Sequence, residues 1–169
     1  MLPPYDIIVS HEGYYNFKTS QALIYTCTFR NVTSKLSPVL GIYDIEIYDF
    51  EFYCYDPTPE IKKSKDEQIS ATIIHLLQQF FSSDLRVLIY ACDSSDRLHR
   101  ERQWLFNHWY KTFAESIKRY QLDIKIEDDK FEIAAHGAVL TTIDFPYQNV
   151  LQSELLDQVH GILLEKYGQ

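Results

Sequence analysis

The sequence predicts an α+β protein: one mixed, mainly antiparallel sheet of about five or six strands, with three helices packed mainly on one face. Three observations carry this. Apolar residues recur with a period of two in some stretches and of about 3.6 in others, the signatures of half-buried strands and amphipathic helices. Aromatic side chains make up 15% of the chain (13 Tyr, 10 Phe and 2 Trp), a share that favours strands and a bulky core. The stretches follow in the order strands, helix, strand, helix, hairpin, helix, which suits a sheet with segregated helices. With 169 residues and no linker long enough to divide them, the expectation is one domain over residues 1–169.

Residues 13–18 (Gly-Tyr-Tyr-Asn-Phe-Lys) read as a short strand. In 22–31, Leu23, Tyr25, Cys27 and Phe29 share one face by alternation, and Ser34 to Pro38 is a loop. A long aromatic strand fills 42–55, but its alternation changes phase: Ile45 and Ile47 keep one register, Phe50, Phe52 and Cys54 the other. A bulge or short break near Tyr48 and Asp49 would repair the phase. Pro57 and Pro59 end that strand, and Lys62-Lys63-Ser64-Lys65 is a solvated connection. Ile69, Ile73, Leu76, Leu77 and Phe80 fall at helical spacing within a helix over 66–82. The nearly continuous apolar run 86–92 suits a strand near the sheet centre, buried on both faces. A long helix follows over 96–120, then strands 122–127 and 131–143 joined by a turn at Asp128-Asp129. The last helix, 148–167, carries the stripe Val150, Leu151, Leu155, Val159, Ile162 and Leu163.

The net charge is −8, which argues against general nucleic-acid binding, since that depends on neutralising phosphates. Residues 1–60 hold 3 basic and 8 acidic groups, residues 61–119 hold 10 and 7, and residues 120–169 hold 3 and 9, so a basic island lies between acidic ends. Cys27, Cys54 and Cys92 are odd in number and widely spaced, and form neither a redox nor a zinc pattern. They read as reduced thiols buried in strands. The N-terminus lacks a basic and apolar leader, and no window is apolar enough to span a membrane. The expectation is therefore a cytoplasmic protein with no membrane association and no cofactor. The phosphate-loop, dinucleotide, zinc-protease and nucleophile-elbow motifs are missing. His11, His75, His99, His108, His136 and His160 show no ligand spacing; a bulge is one reading of His136-Gly137.

The helix over 96–120 carries most of the information. At about 100° per residue, Leu98, Leu105, Phe106, Trp109, Phe113, Ile117 and Tyr120 form one apolar arc, and Arg102 falls in its middle. A charge there is costly unless it is paired. It reads as a structural arginine bound to a carboxylate (Asp93, Glu46 or Glu51), as an anion-binding group, or, if the helix ends lie elsewhere, as an exposed residue. The opposite side holds Arg97, Arg100, Trp104, His108, Lys111, Glu115 and Lys118. A tryptophan among basic groups reads as part of a solvated face, as an interaction hot spot, or as a stacking platform for single-stranded nucleic acid or a nucleotide, the last disfavoured by the acidic chain. Asp93 and Asp96, at a strand end before a helix, are either capping residues or ligands for a divalent cation beside a phosphate.

The string Tyr90-Ala91-Cys92-Asp93-Ser94-Ser95-Asp96, followed by Arg102, Phe106 and Trp109, resembles a family of small proteins from Bacteroidetes-type bacteria known only as a domain of unknown function. The specific part of the resemblance lies in residues 88–110. Relatives often have glycine after the second aspartate, where this chain has Arg97. The resemblance implies no activity, cofactor or partner. Three function classes follow, of which a purely structural subunit, marked by a large exposed apolar patch, is the third. One is a non-enzymatic interaction or regulatory domain that binds another protein chain, possibly a second copy, through Arg97, Arg100, Trp104, His108 and Lys111. The alternative is a metal-dependent enzyme on a phosphate-containing substrate, with Asp93 and Asp96 on the metal and Arg102 on the anion.

Overall fold

The computed structural model describes residues 2–36, 42–82, 85–92, 99–128 and 131–167; at 99–102, 113, 123–128, 131–135, 166 and 167 the description is of the backbone. Its strands are β1 (Ile8–Val9), β2 (Tyr15–Lys18), β3 (Ile24–Asn31), β4 (Glu46–Tyr55), β5 (Arg86–Cys92), β6 (Ile117–Asp128) and β7 (Phe131–Thr142). They form one seven-stranded sheet in the order β1-β2-β3-β4-β5-β7-β6. The only parallel pair among the described strands is β4 with β5. A parallel neighbour needs a long crossover, and helix α1 (Glu67–Phe80) supplies it. The fold class is the expected one, with more strands than the expected five or six. The extra strand is β1, two exposed residues too short to show a period.

The sheet is covered on both faces, and this explains the sequence pattern. Helices α1 and α2 (His99–Phe113) lie on one face over Phe17, Cys27, Phe50, Leu88, Tyr90 and Leu140. On the other face the last helix, α3 (residues 148–167), packs Leu151, Leu155, Val159 and Leu163 over Ile45, Ile47, Val87, Ile89 and Val139. The run 86–92 is apolar because Val87 and Ile89 point to one core and Leu88, Tyr90 and Cys92 to the other.

Two expected irregularities are absent. The β3–β4 register runs unbroken from Ile24↔Tyr55 to Asn31↔Tyr48, so no bulge lies at Tyr48-Asp49. The phase changes because Ile45 and Ile47 serve the α3 core while Phe50 serves the α1/α2 core; Cys54, expected to be buried like Cys27 and Cys92, is exposed near the end of this strand. Nor does His136-Gly137 bulge: β7 keeps register on both sides, with Cys92↔His136 and Leu122↔Gly137.

Two boundaries also move. The helix expected over 96–120 ends at Phe113, and β6 begins at Ile117. Ile117 still enters the α1/α2 core, but from a strand paired with Thr142. Tyr120 lies against the α3 core, continuing the alternation of Leu122 backward. The last helix runs through an α turn (Gln148–Val150), a π segment (Leu151–Leu155) and an α segment (Leu156–Tyr167). Its buried residues step by four, which drifts about 40° per step on a regular helix. The π segment under-winds the chain and keeps Leu151 and Leu155 on the sheet.

Candidate interaction surface on helix α2

Helix α2 is anchored through one side. Phe106 stacks on Tyr90, centroids 3.8 Å apart and planes within 4°. Trp109 is 1% exposed, meets Phe52 and Phe106 edge-on, and donates its indole N–H to Ser70 Oγ at 3.1 Å. Beyond the helix, Arg119 on β6 donates to Asn107 Oδ1 and lies 4.4 Å from the Tyr110 ring centre. Of the apolar arc read from the sequence, Phe106 and Trp109 are buried and Leu105 partly so, Ile117 and Tyr120 belong to β6, and Leu98 and the side chain of Phe113 lie outside the described residues.

The opposite side faces solvent. Trp104 is 58% exposed and stacks on His108, with centroids 5.6 Å apart and planes within 6°. Lys111, one turn on, is exposed. Trp104 and His108 form one wall of a groove of about 190 Å³ whose floor is Phe52, Ile69, Leu105 and Trp109. The other wall is the start of α1, Lys65 to Glu67. There Lys65 pairs with Glu67 at 3.1 Å. Asp66 caps α1 by accepting the Gln68 N–H at 3.0 Å and also accepts the Tyr5 hydroxyl at 2.8 Å. Tyr25 lines the groove next to the Cys54 thiol; burial first, and then this hydrogen bond, pushes its phenol up.

Of the candidate residues, Trp104, His108 and Lys111 therefore share one exposed face. Arg100 and Arg102 lie on α2, with their side chains outside the described residues; Asp93, Asp96 and Arg97 lie wholly outside them. Of the carboxylates named for Arg102, Glu46 accepts from Arg86 at 3.5 Å and Glu51 from Arg30 at 3.0 Å. Among the described residues no cluster of His, Cys, Asp or Glu could hold a metal ion, and no helix is long and apolar enough to cross a membrane.

A second, larger cleft of about 350 Å³, beside α3, has no counterpart in the sequence pattern. Val32, Leu36, Ile89, Val159 and Leu163 line it, and Arg30 stands at its mouth. Arg30 Nη2 donates to Asp49 at 2.6 Å, and this bond in particular holds the guanidinium protonated. Only the cross-strand register, Arg30↔Asp49, reveals this cluster, and register is not written in one strand alone.

The fold and this surface describe an α+β sheet protein with one helix face left open. The chain belongs to a family of unknown function, DUF6169, whose model matches residues 65–158, from the start of α1 to the first turn of the last α segment. The motif residues 90–109 lie within that span. No curated protein and no solved structure matches the chain.

Proposed function

We propose that this protein is a non-enzymatic interaction domain that binds an acidic protein segment through the exposed face of α2. The observation that carries the reading is Trp104, 58% exposed and stacked on His108 at the lip of an apolar groove. Exposed indole surface forfeits burial worth about 25 cal/mol per Å² of apolar area, and a partner recovers it. The groove accommodates one apolar anchor of that partner. His108 and Lys111, together with Arg97 and Arg100 from the same basic stretch, favour carboxylates around the anchor and make association salt-dependent. Residence in the cytoplasm of a bacterial cell is part of the same proposal; its support is that the cysteines are thiols, two of them buried.

The test is affinity purification from native cells with wild type, Trp104→Ala and Lys111→Glu. Wild type is expected to retain a discrete acidic protein that salt elutes, and both variants to lose it. Both sites are exposed, so folding stability is expected to change by no more than about 0.5 kcal/mol. Identical retention by all three proteins overturns the reading.

A further inference from the structure

The two edges of the sheet are unlike. β1 is two residues long and follows Pro3-Pro4, a blunted edge. β6 is twelve residues long, contains neither proline nor glycine, and pairs with β7 without interruption. Among the described residues no strand lies on its outer side. An edge of this kind offers a row of backbone N–H and C=O groups to another strand.

We infer that the occupant of this edge is the β6 strand of a second copy, paired antiparallel about Ile124. The sequence Tyr120–Asp128 is self-complementary in that register. Residue 124 meets its own copy, isoleucine on isoleucine; residue 122 meets 126, leucine on isoleucine. Residue 123 meets 125, aspartate opposite lysine, and this pair occurs twice by symmetry. Residue 121 meets 127 and residue 120 meets 128, so no like charges face each other from 120 to 128. Moving the centre by one position in either direction sets Asp123 or Lys125 against its own copy. Opposite charges directly across an antiparallel pair stabilise it and like charges oppose it. A two-fold axis that reverses the strand keeps each sheet face on its own side. The dimer therefore presents both Trp104 faces on one side, as a bivalent surface, although the pairing itself does not depend on Trp104.

The experiment is sedimentation of wild type, Asp123→Lys, Lys125→Asp and the double variant, each checked for native circular dichroism. Wild type is expected to dimerise. Each single swap sets like charges opposite each other at two places and is expected to weaken the dimer by about tenfold or more. The double variant restores opposite charges and is expected to dimerise like wild type. In wild type, amide exchange over residues 120–128 is expected to slow as concentration rises, a reading that needs no variant. A wild-type monomer, single swaps as dimeric as wild type, a folded double variant that stays monomeric, or exchange independent of concentration overturns the proposal. Trp104→Ala is expected to leave the dimer intact, so this interface and the α2 surface fail or stand separately.

Discussion

Gly137 lies in the middle of β7 between β5 and β6, where a Cβ would stand 3.0 Å from Leu163 Cδ1 and 3.1 Å from the Tyr90 carbonyl oxygen. The leucine can turn aside; the backbone oxygen cannot. Gly137→Ala is expected to cost about 1–3 kcal/mol, measured by urea denaturation. A cost near zero would mean that α3 does not press on the sheet there. Cys27 is fully buried, and burial pushes its thiol up to about 12. The unfolded chain then ionises this thiol at a lower pH than the folded chain does. Stability from this group is complete below the unfolded value, about 8.5, and is lost as pH rises toward the folded one, by about 1.4 kcal/mol per pH unit. The expected companion result is labelling of Cys54 alone in the native protein by a thiol reagent, with Cys27 and Cys92 reacting only after denaturation. At this scale the sequence was informative about tryptophans: helical angle separates Trp104 from Trp109, and the structure exposes one and buries the other. It offered only a bulge at Gly137, because the neighbours that require the glycine come from three other elements, the last helix, β5 and β6.

Helix α1 shows how a local signal survives folding. Asp66 stands three residues before the apolar stripe and is the N-cap, its carboxylate shared between the Gln68 N–H and the Tyr5 hydroxyl. Asp66→Ala is expected to lower stability by about 0.5–2 kcal/mol for the cap, and Tyr5→Phe by less, since the cap bond remains. Chemical denaturation of the two variants checks the order; a larger loss from Tyr5→Phe would show that the tether from Tyr5 stabilises the protein more than the cap does. Helix α2 and β4 show where period reading fails. Ile117 satisfies the helical arc by angle, yet it is the first residue of a strand, because the arc cannot distinguish a last helical turn from a core-facing strand residue. In β4 the change of phase reflects two cores served by one unbroken strand, a fact that belongs to the layers and not to the strand.

The molecule is a sheet shared between two cores, and only part of it falls within the family match at 65–158. The strands before that span are not an accessory. Phe29 stacks on Phe80 of α1 at 4.7 Å, and Phe52 meets both Phe106 and Trp109 of α2. A protein lacking residues 1–60 keeps Leu88, Tyr90 and Leu140 under the helices but exposes the parts of α1 and α2 that pack on Phe17, Phe29, Phe50 and Phe52, and is expected to be unfolded by circular dichroism and proteolysis. A folded, cooperative 61–169 fragment would show instead that the matched span is self-sufficient. The order of elements and the fold class were legible because hydrophobic period survives tertiary packing. The division of helices between the two faces, and the groove formed where the start of α1 meets α2, were not, because both arise from elements distant in sequence.

The central claim, that the Trp104 side of α2 receives a partner, is tested most directly by photo-crosslinking from a reactive residue at position 108, with a control at Tyr53, an exposed residue on the sheet face opposite α2. The expected result in native cells is a discrete protein adduct from position 108 that Trp104→Ala abolishes, with none from position 53. Adducts that are the same from both positions, or that persist without Trp104, would contradict it.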